Sequence, residues 1–467
     1  DILDPKRSKY DLNYYLRLAK DLENAGSHIL GVKDMSGLLK PYAAKVLIEA
    51  LKDTVKIPIH LHTHDTSSLQ SATYLMAIDA GVDVVDCALG ALSGITSQPN
   101  FNSIVEMMRF NERENPYDIK SLNQFSNYWE AVREYYYPFE SGMKSSSAEV
   151  YQHEIPGGQY SNLKPQAIAL GLGDKFEEIK ERYADVNEMF GDIVKVTPSS
   201  KVVGDLAQYM VANHISKEDI FTKGEQISFP ESVVSFFMGE LGQPEGGFPK
   251  ELQRIILKDK EPLTERSGKY LPELNLQKDY KDFKKKFGDD LPYTTYLSYK
   301  FYPKVTEDYL KMYRKYGDVD VVPTRYFFYG MKPGEETTVR IAPGKTLLIR
   351  LQSIGPADEK GMRTIFFKLN GQTRNIEIQD KTIKVTHLEN RKADKSNANH
   401  IGSPLQGMLS RVFVKKGDMV KKNQPLFMVE AMKMETNIAA SADGKVGDII
   451  LAPGTLVNTD DLVLEFS

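Results

Sequence analysis

IPIHLHTHDTSSLQSATYLMAIDAGVDVVDCAL, residues 57–89, reads as strand, helix, strand. The outer runs, 57–65 and 82–89, are short, apolar and β-branched, and the segment between them, 68–80, has helical periodicity. The same rhythm extends upstream. A helix over 10–25 ends at Gly26, SHILGVKD (27–34) is a short buried strand, and a helix follows over 40–53. Buried strands alternating with amphipathic helices argue parallel βα units. No glycine-rich phosphate loop follows these strands, so a barrel is a better reading than a dinucleotide fold. Three or four units are visible where a barrel closes with eight. The second half of a TIM-type barrel is therefore expected, in a chain that starts at Asp1 and reads as part of a longer protein.

Residues 101–265 read as helix and loop, with a Gly/Pro-rich piece, HEIPGGQYSN (153–162), and a turn, KVTPSSKVVGD (195–205). Charge density rises from about residue 265 (KKKFGDDL, 284–291), and after DVDVVP (318–323) the pattern turns to strands. TTVRIAPGKTLLIRLQSIG (337–355) and RTIFFKLNGQTRNIEIQD (363–380) predict antiparallel strands with PG and NG turns. The polar stretch ENRKADKSNANH (389–400) predicts a mobile linker. Beyond it, Gly407, Val412, Gly417, Val420 and Leu426 recur 37 positions later as Gly444, Ile449, Gly454, Val457 and Val463. Two similar halves of short strands predict a small quasi-symmetric all-β sandwich, with Lys433 at the connecting hairpin. The expected order is α/β half-barrel with helical extension (1–265), α+β module (266–395) and all-β domain (396–467).

Composition narrows the function classes. The 467 residues include 60 basic and 64 acidic side chains, a net charge of −4, so no strong field favours nucleic acid or a membrane surface. No apolar run approaches the roughly 18–20 residues of a membrane span. One cysteine, Cys87, excludes an internal disulfide framework and suits a reducing compartment. Two groups stand out. His60, His62 and His64 alternate along a strand and share one face. Lys33 and Asp34 fall at the end of the neighbouring strand, where barrels place their chemistry. Imidazoles at i and i+2 are either hydrogen-bonding core residues or ligands of one divalent metal. Thr197, Ser200 and Lys201 fall in a proline-containing turn before a helix, which Ser and Thr also favour as caps.

EAMKME (430–435) resembles the attachment signature of biotinyl carrier domains, in which the lysine matching Lys433 is biotinylated by a biotin protein ligase. The related lipoyl domains usually carry other residues around their lysine. The order GVKDM, GLLKP, HLHTHD, AGVDVVD, SGITSQP, PGGQYSN, KVTPSSKVVGD resembles the carboxyltransferase domain of the pyruvate carboxylase family over residues 1 to about 265. TRYFFYGMKPGEETTVRIAPGKTLLIRL and FFKLNGQTRNIEIQDK resemble that family's allosteric and tetramerisation domain. The resemblance implies carboxyl transfer from carboxybiotin to pyruvate, giving oxaloacetate. ATP and bicarbonate would be used by a domain absent from this chain. It implies a divalent metal (Mn, Mg or Zn) on His62, His64 and a carbamylated Lys33, with His60 structural. An unmodified ammonium has no lone pair to donate, whereas a carbamate supplies anionic oxygens. Thr197 would pass a proton between pyruvate and biotin, and Ser200 and Lys201 would line the biotin pocket. The family's aspartate ligand and its pyruvate-binding arginine and glutamine have no match here, so this chain alone is expected to be inactive. A homotetramer in a bacterial cytoplasm is implied, with acetyl-CoA or cyclic di-AMP as effector. Tyr15 and Tyr42 match the aromatic residues that would stack on the cyclic dinucleotide. Two other readings are an oxaloacetate decarboxylase or transcarboxylase subunit, which lacks the allosteric domain in this form, and a non-catalytic carrier or scaffold.

Overall fold

The computed structural model describes residues 2–5, 9–140, 142–358, 361–380, 382, 390–394, 397–431 and 434–467. They divide into two compact units, 1–269 together with 390–467, and 270–389.

The first unit opens with α1 (Leu12–Asn24), started by Asp11, whose carboxylate accepts the Tyr14 N–H at 2.8 Å. β1 (Leu30–Asp34), α2 (Pro41–Thr54), β2 (Ile59–Thr63), α3 (Gln70–Asp79) and β3 (Val84–Val85) follow. The strands form a parallel sheet in the order β1-β2-β3, with Lys33 opposite His62 and His60 opposite Val84. One face carries Leu30, Ile59 and Leu61 into a core with Ile48 and Leu51 of α2 and Tyr74, Ala77 and Ile78 of α3. Ile59 and Leu61 are fully buried, each worth roughly 1.5–3 kcal/mol. Alternation sends His60 and His62 to the opposite face. This is half of a TIM-type barrel. β3 is shorter than the expected 82–89, although the Asp83 and Asp86 N–H groups still bond to the Ile59 and Leu61 carbonyls of β2 at 3.0 and 3.2 Å. Asp83 accepts the Ile59 N–H at 2.8 Å, and Asp86 turns to the histidines.

The helical extension packs helices Gly157–Ala169, Phe176–Met189, Ser199–Ala212, Glu231–Met238 and Lys250–Leu257 around Leu163, Ile179, Tyr183, Val203, Leu206 and Phe237. The stretch expected as a turn, 195–205, is turn only up to Pro198; Ser200 and Lys201 lie in the first turn of the helix starting at Ser199. That helix has no side-chain cap. Ser199 Oγ instead folds back, accepting the Val196 N–H at 3.1 Å and donating to the Val194 carbonyl at 2.9 Å.

The second unit combines helices Leu276–Phe287, Tyr293–Phe301, Pro303–Tyr316 and Thr324–Tyr329 with an antiparallel meander. Its strands are β4 (Glu336–Ala342), β5 (Lys345–Ala357), β6 (Met362–Leu369) and β7 (Gln372–Gln379). The NG turn works as its composition requires, with Asn370 and Gly371 at φ of 48° and 82°. Phe283, Phe287, Tyr296 and Leu310 form a small helical core.

The C-terminal sandwich consists of β8 (His400–Gly402), β9 (Gly407–Val412), β10 (Met419–Val420), β11 (Pro425–Ala431), β12 (Met434–Ala439), β13 (Gly444–Ile449), β14 (Leu456–Val457) and β15 (Leu462–Phe466). Its sheets run β10-β13-β15-β8 and β12-β11-β9-β14, so each sequence half lends a short strand to the other half's sheet. The repeat is visible in the backbone: Gly417 and Gly454 take φ of 94° and 92° at equivalent turns, a conformation glycine adopts without steric cost.

The expected mobile linker, 389–400, is corrected in part. The Ala393 N–H bonds to the Asp460 carbonyl, and the Leu462 N–H to the Arg391 carbonyl, both at 2.8 Å. Lys392 Nζ and Asn390 Nδ2 reach the buried Asp461 carboxylate at 2.7 and 2.8 Å. Polar composition did not leave 390–394 free, because the sandwich edge supplies both backbone partners and a buried countercharge. Residues 389, 395 and 396 lie outside the described residues.

Candidate functional site

The apolar alternation of β2 that buries Ile59 and Leu61 also aligns the histidines. Asp86, just past β3, bridges two of them: His60 Nε2 donates to Oδ1 at 2.8 Å and His62 Nδ1 to Oδ2 at 2.7 Å. Burial opposes ionisation of Asp86, but these hydrogen bonds outweigh it and hold the carboxyl below its usual range. His64 follows the strand; its N–H donates to the Asp34 carbonyl at 3.2 Å, and its Nδ1 is 2.6 Å from the Thr96 carbonyl. A carbonyl only accepts, so His64 Nδ1 carries the proton there, as His62 Nδ1 does toward Asp86. Both Nε2 atoms then present lone pairs, and they face each other at 3.2 Å.

Two bare lone pairs at that distance repel, so the pair suits either one shared proton or a metal cation. The donor set and its outer partners therefore fit a metal: two imidazoles converge, each fixed in tautomer by a carboxylate or a backbone carbonyl. His64 suits ligation further, since burial lowers its pKa and favours the neutral ring. Among the described residues, no group of three or more His, Cys, Asp and Glu side chains could hold a metal ion. Lys33 stands opposite His62 in register, and its charge bears on His64.

Asp34 shapes the loop beside the pair. Its carboxylate accepts the Leu38 and Leu39 N–H groups at 3.0 and 2.9 Å and the Thr63 hydroxyl at 2.9 Å. Gly157 closes the other side, its N–H bonded to the Met35 carbonyl at 2.8 Å. A Cβ on Gly157 would lie 3.1 Å from His64 Nδ1 and 3.2 Å from the Thr96 carbonyl oxygen.

A cavity of about 230 Å³ adjoins this strand end, lined among others by Tyr15, Lys33, Asp34, Glu154, Lys195 and Val196. Lys195 and Glu154 form a partly buried pair at 2.8 Å. Thr197 follows Val196 and is exposed. Ser200 is buried, and Lys201 Nζ pairs with the buried carboxylate of Asp205. The structure thus brings Lys33, His62 and His64 to one place and sets the segment leading to Thr197 in the wall of the Lys33 cavity. Tyr15 lines that cavity, whereas Tyr42 is 76% exposed on α2 and lies outside the lining. Lys433 lies outside the described residues. Sequence reasoning missed Asp86, Thr96 and Gly157. Asp86 left one signal, an acidic residue closing the apolar run VDVV beside a histidine strand.

Three family models match the chain: HMGL-like over 4–128, a conserved carboxylase domain over 150–350, and a biotin-requiring enzyme domain over 399–466. Pyruvate carboxylase of Bacillus subtilis (strain 168) is 48% identical over 465 residues, covering 100% of this chain and 40% of the relative. The chain is similar to pyruvate carboxylases along its whole length. Among solved structures, the complete multifunctional pyruvate carboxylase from Rhizobium etli is 47% identical with a TM-score of 0.74, covering 100% of this chain and 43% of that one. The carboxyl transferase domain of the same pyruvate carboxylase, with pyruvate and biocytin, is 50% identical with a TM-score of 0.76, covering 82% of this chain and 64% of that one. The chain therefore spans about 40% of the length of the curated pyruvate carboxylases it matches.

Proposed function

We propose that this chain carries the metal-binding half of a carboxyltransferase site, together with the biotin carrier that serves it, in an enzyme that converts pyruvate to oxaloacetate. The observation that carries the reading is the His62–His64 pair, with two lone pairs converging at 3.2 Å and both outer nitrogens tied down. His62, His64 and carbamylated Lys33 would hold a divalent Mn, Mg or Zn, which as a Lewis acid would stabilise enolate charge on pyruvate. Biotin on Lys433 would deliver the carboxyl group. Thr197 would carry the proton between pyruvate and the ureido nitrogen, a task a hydroxyl performs without holding charge. Ser200 and Lys201 would flank the biotin ring. Residues 266–395 would serve as the allosteric and tetramerisation domain, and ATP and bicarbonate would be consumed elsewhere in the parent enzyme.

The relatives match through the 270–389 unit, which favours pyruvate carboxylation over the oxaloacetate decarboxylase or transcarboxylase reading. A homotetramer, modification by a biotin protein ligase, and a bacterial cytoplasmic setting belong to the same proposal. No helix among the described residues is long and apolar enough to cross a membrane. Acetyl-CoA or cyclic di-AMP would act as effector. For the cyclic dinucleotide, the exposed ring of Tyr42 suits stacking on a base better than that of Tyr15, which is packed edge-on against Tyr14.

Two experiments test the reading. Peptide mass analysis across 425–440, with ligase and biotin in excess, should find a biotin-sized addition on Lys433; an unmodified lysine returns the chain to the scaffold alternative. Thr197→Ala in the complete enzyme should abolish oxaloacetate formation while ATP-dependent biotin carboxylation persists, and retained carboxyl transfer refutes the role of Thr197.

A further inference from the structure

The sandwich does not stand clear of the helical extension. β12, which begins one residue after Lys433, lies against the helix Glu231–Met238. Asn437 Nδ2 donates to Glu231 Oε2 at 2.9 Å, and the Ala439 N–H donates to Ser228 Oγ at 3.3 Å. Buried apolar side chains of the two parts, Phe237 and Ile438 among them, belong to one continuous cluster. The next residue along the helix, Ser232, donates its hydroxyl to Asp205 Oδ2 at 2.6 Å. Asp205 is 1% exposed, and the same oxygen pairs with Lys201 Nζ. A buried carboxylate must keep its donors, because leaving it unpaired is costly. Lys201, Asp205 and Ser232 are therefore linked in position, one residue from the Glu231 contact to β12.

We infer that Ser228–Ser232 is a seating latch for the carrier domain of this chain. Ser228 and Glu231 hold β12, while Ser232, acting through Asp205, ties the seat to Lys201. Asp205 and Ser232 are positioning residues. They set where the Lys201 ammonium stands when the carrier arrives, so seating and pocket geometry are coupled. The seat itself follows from the contacts above; its coupling to biotin rests on the proposed role of Lys201.

Hydrogen exchange on the whole chain tests the seat without reference to activity. Glu231→Ala and Asn437→Ala should each speed exchange at 434–439 by about tenfold, the size of one lost charge-assisted hydrogen bond, relative to β9 and β13. Unchanged exchange in both variants overturns the seat. The coupling is tested in the complete enzyme by oxaloacetate decarboxylation, with free biotin and with the tethered carrier. Ser232→Ala and Asp205→Asn should raise the KM for free biotin, with Ser232→Ala as the variant that spares the buried carboxylate. Glu231→Ala should slow the tethered reaction more than the free-biotin reaction. A KM for free biotin unaltered in both Ser232→Ala and Asp205→Asn overturns the coupling. A wild-type enzyme without biotin-dependent activity overturns the functional reading instead, and the exchange data then decide the seat alone.

Discussion

Replacing Gly157 by alanine places a methyl group against the hydrogen bond that orients His64. The added Cβ would meet His64 Nδ1 at 3.1 Å, Thr66 Cγ2 at 3.2 Å and the Thr96 carbonyl oxygen at 3.2 Å, so all three must yield by a few tenths of an ångström. Two of them are the partners in the 2.6 Å His64–Thr96 bond. Overpacking of this kind costs about 1–3 kcal/mol, and weakening the hydrogen bond adds about 1 kcal/mol. Better helix propensity returns at most about 1 kcal/mol. The net expectation is a destabilisation of about 1–3 kcal/mol. Gly158 supplies the control, since a Cβ there meets nothing within 4 Å and the residue is not among those with positive φ. Gly158→Ala should be neutral or stabilising by up to about 1 kcal/mol. Thermal unfolding of both variants separates the cases, and calorimetric titration with Mn should show weaker binding for Gly157→Ala alone. Equal stability and equal metal affinity in the two variants would refute the claim that Gly157 is retained for room beside His64.

The other expectations are briefer. Asp86→Asn removes the carboxylate that holds His60 and His62, and metal affinity should fall about 10–100-fold with little change in fold, read by metal content after dialysis. His153 is buried and its pKa is pushed down to about 4, chiefly by burial, so the unfolded chain binds a proton there that the folded chain refuses. Its contribution is complete above the unfolded pKa near ~6.5 and is lost as pH falls toward about 4, roughly 3 kcal/mol in all. His153→Gln should flatten the stability profile in that window. Glu154→Ala strips the partly buried Lys195 of its partner in the cavity wall and should cost about 1–3 kcal/mol in urea unfolding. Lys195→Met together with Glu154→Leu should recover most of the loss, because both charges are then gone.

Much of the architecture follows from local pattern. The period-two runs at 30–34 and 59–63, the helices between them, the PG and NG turns, and the 37-residue repeat all depend on side-chain alternation, turn stereochemistry and glycine φ. These are properties of neighbouring residues, so they can be read along the chain. The meeting of His62 and Lys33 was legible because strand register pairs them directly, and His64 follows one residue past the strand.

What the chain order could not reveal is contact between distant segments. Asp86 reaches His62 across 24 positions, Thr96 reaches His64 across 32, and Gly157, at the start of the helix Gly157–Ala169, leaves no room for a Cβ beside the His64 ring. The same applies to 390–394, whose polar composition predicts freedom until Asp461 and the backbone of β15 are in place. The exchange of β10 and β14 between the halves of the sandwich, and the seat of β12 on Ser228 and Glu231, have the same origin. Periodicity assigns a residue to a face. Only packing determines which donor, acceptor or charge meets it there, because a buried polar group must find its partner wherever the fold supplies one.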